Sequence, residues 1–407
     1  MKQLNIEHII LGIKQELDDN IDVFSDTSIE YGKLGAAIFY YYGQIYFNDI
    51  SFLYKGESLI ESSIHSLSSK KLFKKQKLKF KGDSIGFRLS SFGKGLLFVE
   101  NNFNLRYDFS TYYLCLNDVL YDILKQAFNK KDHDYFSGTL SAGYFFLNQY
   151  KYTQNSFAKW VLNLIVQAIL RDSVVLNKEE VYWHSPILDN KVYLGLSHGS
   201  AMVINFLCKI IEYEIYEGDK EELENVLFQA ITFIMKRERN FLDGYFPHLF
   251  IQTETKSITQ LSMCYGDLGI LYALYNAMQL FDWKVFETRV KQLLITTSRR
   301  KLNKAFTQDS SILYGCSGLY YIFKDLHNRT NNDVFLKPYL YWYDNILRFR
   351  DPEKHSLVGF QFEYERNTKV DKSAFFSFYW GIGGIGITLM KGDLEVLPCL
   401  NELLLIG

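Results

Sequence analysis

Proline is scarce in this chain. Five prolines occur among 407 residues, at Pro186, Pro247, Pro338, Pro352 and Pro398. Because proline lacks a backbone N–H and disrupts helix interiors, long stretches without it leave room for long helices. Hydrophobic residues make up 48% of the chain and aromatic residues 17%, which is enough for a large core. A chain of this length could form two or three average domains or one large array.

Cysteines are few and show no regular spacing. The five are Cys115, Cys208, Cys264, Cys316 and Cys399. An odd number without framework spacing argues against a disulfide scaffold. Three of them lie among apolar sequence neighbours, and we expect these to be unreactive core residues: Cys115, Cys208 and Cys399.

The chain has neither a strong net charge nor a long apolar run. Its 45 basic and 46 acidic residues give a net charge of −1, which argues against a nucleic-acid partner. Its apolar stretches are interrupted well before the ~20 residues that a transmembrane helix needs. Residues 1–20 carry charges throughout and lack the apolar centre of a signal peptide. We therefore expect a cytoplasmic protein with at most peripheral membrane association.

One segment is rich in lysine. The stretch Lys70–Lys81 contains seven lysines that alternate loosely with apolar residues. We favour an exposed edge strand that its lysines protect from pairing with other chains. The alternative is a surface that contacts an acidic partner or an anionic membrane.

A weak repeat runs through the whole chain. Small residues recur about every 58 residues, and each opens an apolar or aromatic run. Repeats of this kind are typical of solenoids, propellers and closed arrays, and this period fits two helices with their connections. The repeated positions are Gly32, Ser90, Gly138, Gly199, Gly266, Gly318 and Gly381.

Just before three of these glycines lie residues whose side chains can bind a metal ion or transfer a proton. The fragments are Ser197-His198-Gly199, Met263-Cys264-Tyr265-Gly266 and Gly315-Cys316-Ser317-Gly318. Helix N-termini leave their first N–H groups unpaired, so helices that begin around an axis would surround a cavity. We then expect His198, Cys264 and Cys316 to face one point. At the other four positions we favour the simpler interpretation, that a small residue permits tight helix packing.

These fragments resemble motifs of the LanC family, the lanthionine synthetase cyclases. The resemblance implies an all-α fold, an α/α toroid of about seven helical hairpins around a central cavity that holds zinc. It implies one domain over residues 1–407 and allows a small irregular insertion around residues 50–135. Members of the family add cysteine thiols to dehydroalanine or dehydrobutyrine in a dehydrated precursor peptide, which forms thioether rings.

The resemblance also suggests site residues, motif by motif. Leu196–Ala201 resembles A-H-G-x-A-G, which makes His198 the active-site histidine. Met263–Gly269 resembles W-C-Y-G-x-P-G, and Cys316–Gly318 resembles C-H-G, which makes Cys264 and Cys316 zinc ligands. Asp134–Gly138 resembles the D-x-x-x-G segment that supplies an aspartate, and Gly381–Gly386 resembles the closing glycine motif.

Four positions depart from the family pattern. Two are milder packing changes, because Met263 replaces tryptophan and Met202 replaces glycine. Ser317 stands where the family has its third zinc ligand, a histidine, and Gln260 stands where better-known members have arginine. A serine hydroxyl is a poor zinc ligand. The third ligand could be His198 itself or a loop histidine such as His184, His248 or His355, or zinc could be weakly held or absent.

The implied chemistry gives each residue a role. Zinc on Cys264 and Cys316 would stabilise the substrate thiolate, and His198 would protonate the enolate left by thiol addition. Asp134 would orient an imidazole or, equally, cap the helix after Gly138. Tyr265 would hydrogen-bond the peptide. The two cysteines could instead be ordinary buried residues.

Two functions therefore remain open. The first is a zinc-assisted cyclase, and the second is a catalytically inactive toroid that binds a precursor peptide or organises a biosynthetic complex. The resemblance implies as partners a precursor peptide, a separate dehydratase and an exporter. A related toroid that acts on glycans is disfavoured, because glycosidases use paired carboxylates and the fragments offer only Asp134 and Asp267.

Overall fold

The computed structural model describes residues 2–24, 26–68, 84–239, 244–250, 259–362 and 371–407. The lysine-rich stretch Lys70–Lys81 lies outside these residues. The chain divides into two compact units, each assembled from separate segments. The first unit comprises Met1–Lys79, Phe98–Tyr107 and Thr307–Leu403, and the second comprises Phe80–Leu97, Asp108–Phe306 and Leu404–Gly407.

Regular structure in the described residues is almost entirely helical. In the first unit the helices are α1 (Lys2–Asp19), α2 (Lys33–Phe47), α3 (Ile50–Ser68), α13 (Cys316–Thr330), α14 (Asp333–Asp344), α15 (Ser373–Phe376) and α16 (Ile382–Asp393). In the second unit they are α5 (Ser110–Lys130), α6 (Thr139–Thr153), α7 (Ser156–Arg171), α8 (Ser200–Glu212), α9 (Lys220–Met235), α10 (Asp267–Leu280), α11 (Lys284–Ser298) and α12 (Leu302–Ala305). Helix α4 (Ile85–Asn102) contributes to both units, and one antiparallel hairpin joins β1 (Val174–Asn177) to β2 (Glu180–Tyr182).

Within each unit, the helices pack in sequential pairs. Helix α2 packs on α3 and α13 on α14 in the first unit, whereas α6 packs on α7, α8 on α9 and α10 on α11 in the second. The first helix of a pair is buried over most of its circumference, as in α2, where every residue from Leu34 to Gly43 is buried. The second is amphipathic, as in α7, where buried Ala158, Val161, Leu162 and Ile165 follow helical spacing. The helical hairpin that the repeat predicted is therefore present.

Five of the seven predicted helix starts are confirmed. Helices begin directly after Gly32, Gly138, Gly199, Gly266 and Gly381. The prediction at Ser90 is wrong, because this residue lies inside α4. Its hydroxyl donates to the Gly86 carbonyl one turn earlier, so a polar residue that resembles a cap in sequence is satisfied within the helix.

The predicted start at Gly318 is also wrong, by three residues. Helix α13 begins at Cys316, and Gly315 is its N-cap, with extended backbone angles of φ −114° and ψ −166°. The Gly315 N–H donates to the Ser311 carbonyl at 3.1 Å, and the Cys316 N–H donates to the Asp309 carbonyl at 3.1 Å. These hydrogen bonds place the end of the turn at Gly315 and leave Gly318 within the helix.

The cysteine predictions are confirmed in part. Cys208 is buried as expected, whereas Cys115 and Cys399 are exposed. Cys115 lies on α5, one of whose faces is turned to solvent, and Cys399 lies in the loop after α16. Apolar sequence neighbours do not bury a residue when it lies on the outer face of a helix or in a terminal loop.

The described part of residues 50–135 contains α3, α4 and α5. Across the described part of the chain, no helix combines the length and apolar character needed to cross a membrane.

Candidate active site

His198 and Asp134 form a direct pair in the second unit. His198 Nδ1 lies 2.6 Å from Asp134 Oδ2. The Asp134 side chain is 0% exposed and that of His198 is 11% exposed, so the pair is shielded but the imidazole remains accessible at its edge. The two residues come from the turns before α6 and α8, which pack on each other. The structure thus brings together two of the residues that the sequence predicted.

The turns that precede four of the glycine-capped helices share one hydrogen-bonding pattern, and we call each a cap turn. In each, the cap glycine N–H donates to the carbonyl four residues earlier, at 3.0–3.1 Å. The next N–H donates to the carbonyl six residues before the cap. The pattern recurs at Gly32, Gly138, Gly199 and Gly315. It defines equivalent positions in different repeats without reference to any sequence motif.

Asp134 occupies a position that holds serine before four other cap glycines. Four residues before the cap glycine, a serine hydroxyl accepts the N–H of the residue before the cap, at Ser28, Ser262, Ser311 and Ser377. In the Gly138 turn, Asp134 Oδ1 accepts the N–H groups of Phe136 and Ser137 at 2.7 and 3.3 Å. A carboxylate has a second oxygen, and Oδ2 is left to hold His198. Asp134 therefore both stabilises its turn and orients the imidazole, while the N-cap itself is Gly138.

A second carboxyl group lies two residues away. Asp132 Oδ1 accepts the Asp134 N–H at 3.0 Å, and its Oδ2 accepts the Ser137 hydroxyl at 2.8 Å. Burial raises the pKa of Asp132, and the neighbouring Asp134 charge raises it further. Sequence reasoning did not single out Asp132, although its place two residues before Asp134 repeats the spacing of Asp26 from Ser28 and of Asp309 from Ser311.

Aromatic rings surround the accessible part of His198. Its ring centroid lies 5.2 Å from that of Phe136, 5.8 Å from Tyr193 and 6.3 Å from Tyr265. Tyr265 holds the position before the cap glycine of α10, which is the position of His198 before α8. Burial raises the pKa of the Tyr265 hydroxyl, and nearby Cys264 adds to the shift. The hydroxyl therefore stays protonated and able to donate a hydrogen bond at neutral pH.

Two cap glycines are required by their surroundings. Gly266 has φ +87°, a backbone conformation that residues other than glycine rarely adopt. An added Cβ would also collide with the Gln260 carbonyl. At Gly199 the backbone angles are ordinary, but a Cβ would meet the Tyr193 carbonyl. Glycine at these two positions lets the backbone beside Tyr265 approach Gln260 and the backbone beside His198 approach Tyr193.

A buried ion pair anchors the loop that contains Tyr245, Phe246 and His248, which lies beside Tyr265. Arg300 donates to Asp267 Oδ2 at 2.8 Å, and Asp267 Oδ1 accepts the N–H groups of Tyr245 and Phe246, both at 2.9 Å. The same loop is tied down by the Leu194 N–H, which donates to the His248 carbonyl at 3.1 Å. Asp267 is thus committed to a structural network.

His248 is a second imidazole near the pair. Its ring stands edge-on to that of Tyr265, with centroids 5.3 Å apart and an interplanar angle of 78°. Burial lowers the pKa of His248, and the charge of Arg239 lowers it further, so the ring is neutral at neutral pH. The other two loop histidines lie elsewhere: His184 packs against Tyr182 in the second unit, and His355 is exposed in the first.

The two predicted zinc cysteines do not occupy equivalent positions. Cys264 is buried in the second unit, two residues before the cap glycine of α10. Cys316 lies in the first unit, one residue after its cap glycine and inside α13. The residues that match Cys264 and Tyr265 in the Gly315 turn are Leu313 and Tyr314.

The surroundings of Cys316 and Ser317 are those of packed helix residues. Cys316 Sγ lies 3.8 Å from the Asn345 carbonyl, and burial, followed by the charge of Asp309, raises the pKa of its thiol. Ser317 Oγ donates to the Ser310 carbonyl at 2.6 Å. Within the described ranges, no cluster of three or more His, Cys, Asp or Glu side chains is arranged to hold a metal ion. These residues do not fit the zinc site that the resemblance implied.

The fold is that of known structures. Over 99% of this chain and 97% of the other, it matches nisin cyclase with a TM-score of 0.70 at 17% identity. At this identity the likeness shows the fold, and it confirms the predicted all-α class, the α/α toroid. A sugar epimerase from a ruminal bacterium also aligns, over 95% of this chain and 100% of the other, but its TM-score of 0.40 at 10% identity carries no argument.

Sequence comparison gives the family. No curated protein matches the chain. The family model for lanthionine synthetase C-like protein matches residues 23–394, which is most of the chain. This chain therefore belongs to the lanthionine synthetase C-like family.

Proposed function

We propose that this protein is a lanthipeptide cyclase-like enzyme. It would add cysteine thiols of a dehydrated peptide to dehydroalanine or dehydrobutyrine and so form thioether rings. Family membership and the nisin cyclase fold support this proposal. The observation that carries it is the shielded His198–Asp134 pair beside the Tyr265 ring.

The pair suits the proton transfer that this addition requires. The cysteine thiol gives up its proton, and the thiolate sulfur bonds to the β-carbon while the double-bond electrons move toward the neighbouring carbonyl. The α-carbon of the resulting enolate then takes up one proton, so the addition causes no net gain or loss of protons. Asp134 engages Nδ1 of His198, so proton transfer would use Nε2. A buried carboxylate on the opposite ring nitrogen fixes the tautomer and the orientation of the imidazole.

Tyr265 would act on the oxygen of the same intermediate. Its hydroxyl remains protonated, because burial raises its pKa. A donor aimed at developing negative charge in a shielded site stabilises the transition state more than the ground state. We assign Tyr265 to the peptide carbonyl that becomes the enolate.

Zinc on Cys264 and Cys316 stays a prediction. Zinc would supply a stabilised thiolate when bound. Because Cys316 and Ser317 are engaged as helix residues, no step of the proposal passes through the metal. The incomplete ligand set favours a second candidate, an inactive relative that binds the precursor peptide or organises a complex. A dehydratase and an exporter are proposed partners in either case.

Ring formation in vitro separates the two candidates. The probe is a short synthetic peptide with one dehydroalanine and one cysteine. Because ring closure leaves the mass unchanged, it is followed by the loss of alkylatable thiol in mass spectrometry, above the rate without protein. We expect the parent protein to accelerate closure and His198→Gln to lower the rate about 100-fold or more, the usual size of acid–base catalysis.

A histidine outside the site provides the matched control. His327 lies on α13 in the first unit, with Nδ1 3.2 Å from the Asn332 carbonyl, and His327→Gln is expected to retain the parent rate. Equal rates for His198→Gln and the parent would refute the catalytic assignment. Peptide binding by a parent protein that closes no ring would establish the second candidate instead.

A further inference from the structure

We infer that this protein has no two-cysteine zinc centre and that Cys316 is a packing residue of α13. The inference deepens the proposed function, since it removes the metal that the family resemblance assigns to thiol activation. It rests on the cap-turn positions, which are set by backbone hydrogen bonds.

The first step is the alignment of the turns. At Gly199 and at Gly315 the cap N–H bonds the carbonyl four residues back, and the next N–H bonds the carbonyl six residues back. These bonds place His198 and Tyr314 at the same position. One residue further upstream lie Ser197 and Leu313. Before α10 the Tyr265 N–H donates to Ser262 Oγ, as the Tyr314 N–H donates to Ser311 Oγ, which makes Cys264 the corresponding residue. Cys316 falls on the other side of the cap, three positions away from that of Cys264.

The second step is what fills the matching position in the first unit. Leu313 is 1% exposed and has no atom that binds metal. The Tyr314 ring lies nearly parallel to that of Trp380, with centroids 6.5 Å apart and an interplanar angle of 21°, and Trp380 also contacts Tyr31 at 4.7 Å. All three aromatic residues stand directly before cap glycines. In this unit the position is therefore used for ring packing.

The third step is the state of the Cys316 thiol. The Cys316 side chain is fully buried at the first residue of α13. The sulfur lies 3.8 Å from the Asn345 carbonyl, which accepts a thiol proton but would repel a thiolate. Ser317, the neighbour that the C-H-G resemblance would make a ligand, donates its own proton to the Ser310 carbonyl.

Metal content tests the inference without reference to ring formation. Parent protein, Cys316→Ser and Cys264→Ser are purified without a histidine tag, incubated with zinc sulfate, freed of unbound metal and measured for zinc per chain. We expect Cys316→Ser to bind the same amount of zinc per chain as the parent protein. If the parent binds none, the variant should also bind none. Cys208→Ser, at another buried helix cysteine, controls for loss of metal through general destabilisation.

Alkylation of Cys316 gives a second measurement that does not depend on a folded variant. Zinc ligands are protected from alkylation by bound metal and become reactive when a chelator removes it. We expect the alkylation rate of Cys316 in the native parent protein to be the same with zinc sulfate and with chelator. Lower zinc in Cys316→Ser but not in Cys208→Ser, or zinc-dependent protection of Cys316, would overturn the inference. Either result is independent of whether the protein closes rings, which tests the proposed function separately.

Discussion

At the scale of single residues, one position of the turn distinguishes Asp134 from the serines that stand before other cap glycines. Serine and aspartate both satisfy the turn, but only aspartate retains an oxygen for a partner, and Asp134 uses it to hold His198. The sequence predicted both residues through motifs. It left open whether Asp134 caps a helix or orients an imidazole, because that depends on where each carboxylate oxygen points.

Cys316 shows the limit of motif spacing. The motif comparison took Gly318 as the cap, whereas the backbone hydrogen bonds from Gly315 to Ser311 and from Cys316 to Asp309 show that the cap is Gly315. A pattern in the sequence could have found it, because Asp309, Ser311 and Gly315 repeat the spacing of Asp26, Ser28 and Gly32.

His248 provides a prediction about pH. Its pKa in the folded protein is lowered, chiefly by burial and then by the Arg239 charge, whereas the unfolded chain has an ordinary value near ~6.5. Between the two pKa values the unfolded chain binds more protons than the folded one, so the free energy of unfolding falls as the pH drops from the unfolded pKa toward the lower folded pKa. We expect His248→Gln to lose less stability than the parent between about pH 7.5 and about pH 5, as measured by denaturant unfolding. An equal loss in both proteins would show that His248 is not the group responsible, and His327→Gln is the control.

At the scale of secondary-structure elements, the repeat predicted helices well and their first residues less well. Buried helices such as α2 and α10 have apolar residues on all sides, so only a glycine marks where they begin. Ser90 resembles such a helix start in the sequence, but its hydroxyl forms a hydrogen bond within α4. The loop around His248 carried no sequence signal, since its position depends on Asp267 and Arg300, 33 residues apart.

The cap of α10 provides a prediction about stability. Gly266→Ala would force a side chain into φ +87° and against the Gln260 carbonyl. We expect a loss of about 1–3 kcal/mol in the free energy of unfolding, the usual cost of such strain, as measured by urea titration. Gly143→Ala is the matched control, because it lies inside α6 and its methyl would meet the Phe206 ring at 3.0 Å and no backbone. A loss for Gly266→Ala no larger than that of the control would contradict this account of the cap.

At the scale of the whole molecule, the period of about 58 residues predicted an array of helical hairpins, and the fold agrees with that of nisin cyclase. The period is visible in the sequence because each hairpin needs a small residue where its first helix begins and an apolar run after it. Which distant segments join into one unit depends on contacts between residues far apart in the chain. The segments of the first unit, Met1–Lys79 and Thr307–Leu403, carry no sequence mark of their association.

The central claim is that the Asp134–His198 pair drives ring formation, and Asp134→Ser tests it most directly. Serine occupies this position before four other cap glycines, so the variant keeps an acceptor for the turn and lacks the oxygen that holds His198. The measurement is the rate of thiol loss from the dehydroalanine–cysteine peptide, for parent and variant side by side. The account predicts a fall of about 100-fold with little change in thermal stability. A variant that closes rings at the parent rate would contradict it.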